Sequence, residues 1–463
     1  MDYDLIVIGS GPGGYVAAIR ASQLKMKVAV VEKAEIGGIC LNWGCIPTKS
    51  LLKSSQVLEY LHHASDYGIN IEGEIKPDFS AIIARSRSVA DGMSKGVQFL
   101  FRKNKIEHIK GYGRIGKNDN VEVEDSEGNK KSYTAKSILV ATGARSKELP
   151  NLKQDGKKII GYREAMTLDR QPESMVVVGS GAIGSEFACF YSSLGTQVTL
   201  VEFLPRIVPN EDEEVSKQLE RSFKKLKMRI LTDSIVESAD TSGNKCLVRI
   251  KTPKGEEMTE ADIVLSAVGV TANLEDIGLE TVGVKIEKGK VIVDDYYRTN
   301  IPGIYAIGDI VHGPALAHVA SAEGIICVEK IAGVDTHPLD YNNIPACTYT
   351  TPEIASCGLT EAAAKEKGYR IKVGKFPFSA SGKASASGSK EGFVKLIFDS
   401  EYGELLGAHM IGANVTEMIA EIIVARNLET TGSEIIKSVH PHPTMSEAIM
   451  EAAAAAYGEV INI

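Results

Sequence analysis

Apolar residues in this chain fall in short unbroken blocks that alternate with glycine turns and helical stretches. The first block, Leu5-Ile6-Val7-Ile8, runs into Gly9-Ser10-Gly11-Pro12-Gly13-Gly14, then an Ala-rich helical stretch, then Val28-Ala29-Val30-Val31 ending on Glu32. Unbroken blocks of four or so apolar residues are strands buried on both faces, as in a parallel sheet covered by helices. The order recurs from Met175: Val176-Val177-Val178, Gly179-Ser180-Gly181-Ala182-Ile183-Gly184, a helix, and Val198-Thr199-Leu200-Val201 ending on Glu202. A glycine turn between strand and helix, with an acidic residue closing the next strand, is a dinucleotide-binding unit, so the chain carries two.

Between the two units the pattern predicts helices from Ser50 to His63 and from Phe79 to Lys103, and a three-stranded region from Ile106 to Ser137. That region closes on Ile138-Leu139-Val140-Ala141-Thr142-Gly143, and the second unit closes likewise on Ile263 to Gly269. Each is a buried strand running into glycine beside a nucleotide. A third apolar strand, Gly303 to Gly308, stops at Asp309 before a helix through Ala317 to Ala332, and is expected to return to the first sheet. From Ile344 the chain turns β-rich, with a strand at Phe393–Phe398 and helices near Thr416–Asn427 and Thr444–Tyr457, a separate α+β domain. The Ser/Ala/Gly-rich stretch Ser379 to Ser389 reads as a mobile surface loop. The fold class is α/β, divided into 1–145, 146–270, 271–342 and 343–463.

A chain of 463 residues needs several cores, and 43% hydrophobic residues can fill them. A net charge of -8 without a basic run argues against a nucleic-acid or anionic-membrane surface, though small anionic cofactors can bind locally. No apolar run approaches a membrane span. Met1-Asp2-Tyr3-Asp4 leads straight into a strand, so no leader is expected and the location is expected to be cytoplasmic. Of seven cysteines, Cys189, Cys246, Cys327, Cys347 and Cys357 read as small buried apolar residues, and no metal site is expected.

The remaining pair carries the chemistry. Cys40 and Cys45 stand in Gly37-Gly38-Ile39-Cys40-Leu41-Asn42-Trp43-Gly44-Cys45-Ile46-Pro47-Thr48-Lys49, and two thiols five positions apart can close a small ring. Pro47 suits a first helical turn, where the helix dipole favours a thiolate at Cys45, and Lys49 follows one turn later on the same face. A structural bridge or two buried thiols would also fit the spacing. A loop this short contributes only about 2 kcal/mol in the chain-entropy model, however, and a reducing cytosol would not preserve it without a redox role.

In the glycine turns Gly9 and Gly179 permit the tight bend, Gly11 and Gly181 let backbone approach a pyrophosphate, and Gly14 and Gly184 let helix pack on sheet. Glu32 and Glu202 are placed to accept from ribose hydroxyls. Glu202 also repels a 2′-phosphate, which favours NAD over NADP, although Arg206 stands nearby. A dithiol does not readily give hydride to a nicotinamide, so a flavin must mediate: FAD in the first unit beside the cysteines, NAD in the second.

Far along the chain, Val439-His440-Pro441-His442-Pro443-Thr444-Met445-Ser446-Glu447 holds a histidine between prolines with a carboxylate downstream, an acid/base arrangement. Thr444 and Glu447 also have capping-box spacing, and His440 rivals His442.

On these three stretches, and on Val201-Glu202-Phe203-Leu204, the chain resembles the pyridine nucleotide-disulfide oxidoreductases along its whole length. Within that family it looks most like the flavoproteins that oxidise protein-bound dihydrolipoamide to lipoamide and reduce NAD. The glutathione-reducing branch would carry basic residues in its second unit, and the mercuric branch vicinal cysteines near its C-terminus. The resemblance implies Cys45 against the flavin, Cys40 as the interchange thiol, Lys49 paired with Glu186 near the flavin, and His442, oriented by Glu447, serving the cysteines of the other subunit of a homodimer. It implies one non-covalent FAD per subunit, with further contacts from Gly113, Thr142, Gly143, Ala144, Asp309, Ala315, Leu316, Ala317 and His318, and an NAD site that adds Gly269. The implied partners are lipoyl domains and the subunit-binding domain of 2-oxo acid dehydrogenase acyltransferases, or the glycine-cleavage lipoyl carrier. Ala144 and Ala315 stand where relatives often carry Ser and Met, and Val270-Thr271-Ala272-Asn273 replaces an Arg-containing run.

Overall fold

The computed structural model describes residues 1–117 and 120–463. They pack as two compact units, each assembled from three segments. The first comprises Met1–Ser50, Ser80–Lys147 and Gly269–Tyr341, and the second Leu51–Phe79, Glu148–Val268 and Asn342–Ile463.

In the first unit, Glu107–Lys110, Val28–Glu32, Tyr3–Ile8 and Lys130–Val140 lie side by side, and Ile304–Ala306 pairs with the far edge of the last. All these pairings are parallel, with Ile6 opposite both Ala29 and Ile138. Alternate residues of each apolar block enter different cores, which is why the blocks are unbroken. Leu5, Val7, Val28, Val30 and Leu139 share one core with Ala17 and Ala18 of the helix Pro12–Gln23. Ile6, Ile8, Ala29, Val31, Ile138 and Val140 face the other, with Val121, Val123 and Ile310.

The region from Ile106 to Ser137 differs from its sequence reading. Glu107–Lys110 joins the parallel sheet, while Tyr112–Ile115 and Asn120–Glu124 form an antiparallel meander with the start of Lys130–Val140. Residues 118–119 of that region lie outside the described residues. Lys130–Val140 is one strand of 11 residues, exposed in its first half and buried in its second. The strand at 304–306 returns to the first sheet as expected.

The second unit holds a parallel sheet ordered Arg229–Leu231, Gln197–Val201, Ser174–Val178, Ile263–Ser266, Ile159–Ile160. An antiparallel meander, Ile235–Asp240, Cys246–Thr252 and Gly255–Ala261, comes between its strands in sequence, which the sequence reading did not place. The C-terminal part is a five-stranded antiparallel sheet, Ala346–Thr348, Glu353–Gly358, Leu405–Gly412, Phe393–Asp399, Ile371–Pro377, with helices Val415–Asn427 and Glu447–Tyr457. The stretch Ser379 to Ser389, read from sequence as a loop, is partly helical. It contains the helix Gly382–Ala386, whose Ser381 hydroxyl accepts from the Ala384 N–H at 3.3 Å, and Phe378 and Ala384 are fully buried. Among the described residues no helix is long and apolar enough to cross a membrane.

Lys395, on the strand Phe393–Asp399, is 2% exposed, with Nζ 3.0 Å from Asp212 Oδ1, 2.9 Å from Glu214 Oε2 and 2.7 Å from Glu361 Oε2. Burial works against its charge, but the three carboxylates outweigh that and hold its pKa above the ordinary lysine value. Burial likewise opposes the Asp212 carboxylate, and Lys395 outweighs it and holds that pKa low. The pair anchors the start of the helix Glu213–Lys225, which Asp212 caps, to the C-terminal sheet. Lys395→Met leaves a buried carboxylate uncompensated, so we expect a loss of about 3 kcal/mol in denaturant unfolding at neutral pH. Because the folded carboxylate pKa is depressed, the wild-type advantage is present above the unfolded carboxylate pKa and shrinks as pH falls through the folded value.

Candidate active site

Each glycine turn is shaped by close backbone approaches on one side and open space on the other. A Cβ on Gly9, at φ +104°, would lie 2.3 Å from Ala141 O, and one on Gly14 2.0 Å from Gly9 O. In the second turn the matching distances are 2.6 Å from Gly179 to Ala267 O and 1.9 Å from Gly184 to Gly179 O. A Cβ on Gly11 or Gly181, in contrast, meets nothing within 4 Å. These two glycines begin the helices Pro12–Gln23 and Ala182–Ser193 with no side-chain cap, so first-turn N–H groups remain for an anion. Both cradles therefore fit the pyrophosphate of a dinucleotide.

Glu32 and Glu202 do more than their sequence reading assigned. Glu32 Oε2 accepts from Ser10 N at 2.9 Å and Ser10 Oγ at 2.8 Å, and Oε1 accepts from Ala34 N at 2.9 Å. Glu202 repeats this with Ser180 N at 2.8 Å, Ser180 Oγ at 2.6 Å and Leu204 N at 2.9 Å. Each carboxylate locks its glycine turn to the strand end and keeps lone-pair capacity for a ribose. Ser10 and Ser180 were missed as functional positions, although the repeated Gly-Ser-Gly was the available signal.

The cysteine segment is stitched to the first cradle. Gly37 N donates to Ser10 O at 3.1 Å and to Ser10 Oγ at 3.2 Å, and a Cβ on Gly38, at φ +62°, would stand 2.6 Å from Gly11 Cα. A short helix, Gly38–Trp43, follows, then Gly44 and the helix Cys45–His62. Cys40 and Cys45 form a disulfide with a Cα separation of 4.7 Å, and Cys45 opens the longer helix, where a thiolate is favoured. Lys49 lies one turn on and is half-buried. Two residues quoted in the motif without a role act as locks. Asn42 Nδ2 donates to Ile36 O and Gly38 O at 3.0 and 2.9 Å, and Thr48 Oγ1 donates to Gly44 O at 2.7 Å.

Gly113 packs near Val31, 3.0 Å from its Cγ1 to an added Cβ. Thr142 Oγ1 donates to Asn273 O at 2.7 Å, while Asn273 Nδ2 and N donate to Thr142 O and Gly143 O at 3.0 and 2.9 Å. Val270–Ala272 pairs with Ala144–Ser146, and Gly269 O accepts from Lys147 N at 3.0 Å. The run beginning at Val270 thus clasps the first unit, a role the sequence did not disclose. Burial pushes the Asp309 carboxyl above its usual range despite Lys290, whose ammonium donates to Asp309 O. Its neighbour Gly308 donates to Glu323, a buried carboxyl pushed up to about 7 by burial and bonded by Tyr341 Oη at 2.6 Å. Ala315 and Leu316 lead into the helix Ala317–Ile331, with His318 in its first turn.

Glu186 and the histidines belong to the second unit. Glu186 is buried on the helix after Gly184 and accepts from Tyr349 N at 3.0 Å. His440 is engaged at both ring nitrogens: its side chain is 7% exposed, Nδ1 lies 2.9 Å from Ser438 O and Nε2 2.8 Å from Glu421 Oε1. His442 is 77% exposed, with Nδ1–H donating to Glu447 Oε1 at 2.9 Å, which leaves Nε2 for proton exchange. Glu447 also accepts from Thr444 N at 2.8 Å while orienting the imidazole, but the capping box its spacing suggested does not form, because the helix Glu447–Tyr457 begins at Glu447 itself with Ser446 as its N-cap. The hydrogen bonds from Thr444 and His442 outweigh its partial burial and hold its pKa low.

Two dinucleotide cradles, a disulfide against one of them, and a carboxylate-oriented histidine define a flavin-type disulfide oxidoreductase. The chain belongs to the pyridine nucleotide-disulphide oxidoreductase family, whose model matches residues 3–324, with its dimerisation domain matching residues 344–453. It is 49% identical to a dihydrolipoyl dehydrogenase of Rhizobium etli over 476 residues and 50% identical to one of Zymomonas mobilis over 464 residues, covering 99% of each chain in both cases. Among solved structures it is similar to LpdA from Mycobacterium tuberculosis, with a TM-score of 0.91 at 29% identity over 97% of this chain and 98% of that one.

Glu447→Gln keeps an acceptor for Thr444 N but removes the charge facing His442. We expect thiol-dependent turnover to fall by roughly tenfold or more with the melting temperature nearly unchanged. Glu447→Ala should add about 1 kcal/mol of destabilisation from the lost hydrogen bond to Thr444 N, read by denaturant unfolding beside the rate.

Proposed function

We propose that the chain oxidises protein-bound dihydrolipoamide to lipoamide and reduces NAD, as a dihydrolipoyl dehydrogenase working with FAD. The observation that carries this reading is the Cys40–Cys45 bridge fastened to the first cradle through Ser10 and Gly38. The full-length similarity to dihydrolipoyl dehydrogenases supports the substrate.

His442 Nε2 takes a proton from one thiol of dihydrolipoamide, and the thiolate attacks Cys40 Sγ. The Cys40–Cys45 bond breaks, a mixed disulfide forms, and Cys45 departs as a thiolate at its helix N-terminus. The second substrate thiol displaces Cys40, which closes the lipoamide ring and leaves two electrons on the protein's sulfur pair. Bound FAD supplies the carrier between a dithiol and a nicotinamide. It would be held by Gly9, Gly11, Gly14, Glu32, Gly113, Thr142, Gly143, Ala144, Asp309 and Ala315 to His318, with Lys49 beside it. Gly179, Gly181, Gly184, Glu202 and Gly269 would hold NAD, and Glu202, already accepting three hydrogen bonds as a carboxylate, disfavours a 2′-phosphate.

His442 and Glu447 fall inside the matched dimerisation domain, so the proton acceptor serves the sulfur pair of the second copy in a homodimer. The macromolecular partners are lipoyl domains and the subunit-binding domain of 2-oxo acid dehydrogenase acyltransferases, or the glycine-cleavage lipoyl carrier. A cytoplasmic setting fits the buried thiols of Cys189, Cys246 and Cys327, which form no disulfide.

Cys45→Ser should keep the yellow flavin absorbance yet lose dihydrolipoamide-dependent NADH formation by at least ~10³-fold. A variant that turns over like wild type would refute the dithiol relay.

A further inference from the structure

The helix Phe79–Lys103 has no part in the chemistry above, yet three consecutive residues near its start grip the redox segment. The Arg87 guanidinium stacks 4.4 Å above the Trp43 ring, and its Nη2 donates to Asn42 O. Ser86, fully buried, donates from Oγ to Pro47 O at 3.0 Å. Arg85 Nη1 donates to Ser50 O and Oγ at 3.1 and 2.7 Å. The grips fall on both sides of Gly44, the joint between the helix that carries Cys40 and the helix that Cys45 opens.

While the disulfide stands, a covalent bond holds these helices together. Once it is reduced, Gly38–Trp43 has only six residues, too few to hold a helix by itself, and the position of Cys40 depends on contacts from outside. The guanidinium is an expensive contact to place there for stability alone. Burial lowers its pKa, and Nε is buried with no hydrogen-bond partner among the described residues.

We propose that Arg87, backed by Ser86, is a positioning residue that keeps Cys40 and Cys45 within bonding reach in the dithiol state and so sets their thiol–disulfide equilibrium. This rests on the reading in which the pair is reduced and reoxidised in turnover. Closing the bridge forms one S–S bond and releases two protons and two electrons; the electrons would pass to a bound flavin in turnover and pass to the disulfide of oxidised dithiothreitol, which becomes the dithiol, in the test below. A preorganised pair has the higher effective concentration and the more stable disulfide.

The test equilibrates wild type, Arg87→Lys and Arg87→Met holoenzymes anaerobically with graded mixtures of reduced and oxidised dithiothreitol. Acid quenching, alkylation and peptide mass mapping then read Cys40 and Cys45 separately from the other cysteines. In Arg87→Met we expect the equilibrium to move toward the dithiol by about tenfold, about 30 mV for this two-electron couple, with a smaller shift in Arg87→Lys, which keeps the charge but not the planar stack. Trp43, the sole tryptophan of the chain, should show altered emission on reduction in both variants. A merely structural role would lower the melting temperature and leave the equilibrium in place. Values within about twofold of wild type in both variants overturn the proposal, and if Arg87→Met does not fold, Arg87→Lys and Ser86→Ala are judged by the same limit. The measurement uses neither NAD nor dihydrolipoamide. A wild type that fails to oxidise dihydrolipoamide therefore sinks the proposed function while this equilibrium stays readable, and a normal equilibrium in the variants sinks only the role of Arg87.

Discussion

Backbone against backbone, Gly38 on Gly11, is the contact on which the rest of the first unit's chemistry depends. Gly38 lacks the Cβ that would stand 2.6 Å from Gly11 Cα and forbid the approach, and Ser10 ties the two chain segments together through its carbonyl and hydroxyl. The consequence is positional: the disulfide cannot drift from the nucleotide cradle, because the residues that begin its helix are also residues that wall the cradle. Glu32 fastens the same Ser10 from the other side, so one serine joins the acidic strand end, the glycine turn and the redox segment. A rigid site built from backbone contacts holds its geometry more closely than one built from long side chains.

The two cradles are nearly the same device put to different ends. Each has a tight turn, an open glycine, an uncapped helix and a serine–glutamate lock with matching distances. They differ in the segment beyond the acidic strand end. After Glu32 the chain passes within a few residues to the cysteine segment. After Glu202 it passes to exposed Phe203 and Leu204 and carries no thiol pair. That division suits a protein that exchanges electrons with sulfur at one dinucleotide and with a soluble carrier at the other.

Much of this was legible in order along the chain. Buried parallel strands betray themselves as unbroken apolar blocks because residues such as Leu5 and Ile6 enter opposite cores, and the glycine spacing and cysteine pair are local patterns. Lys130–Val140 escaped as a single strand for a physical reason: its exposed half carries polar residues and pairs antiparallel, while its buried half reads as a separate parallel strand. Asn273, Glu323 and Arg87 act on residues far away in sequence, Thr142, Gly308 and Trp43, and no spacing rule reaches across such gaps. His440 and His442 look alike in sequence, and only the fold shows that Glu421, on the helix Val415–Asn427, meets the first and Glu447 the second. The short helix at Gly382–Ala386 was hidden by composition, since serine and alanine suit a loop as well as a capped turn.

The most direct measurement tracks the sulfur pair itself during turnover. The protein is mixed anaerobically with one equivalent of dihydrolipoamide, quenched in acid, alkylated and mapped by peptide mass, and a second sample receives NAD before quenching. The account requires Cys40 and Cys45 to be protected at the start, alkylated together after dihydrolipoamide, and protected again once NADH has formed. NADH formation with both sulfurs protected throughout, or alkylation at any other cysteine pair, would contradict it.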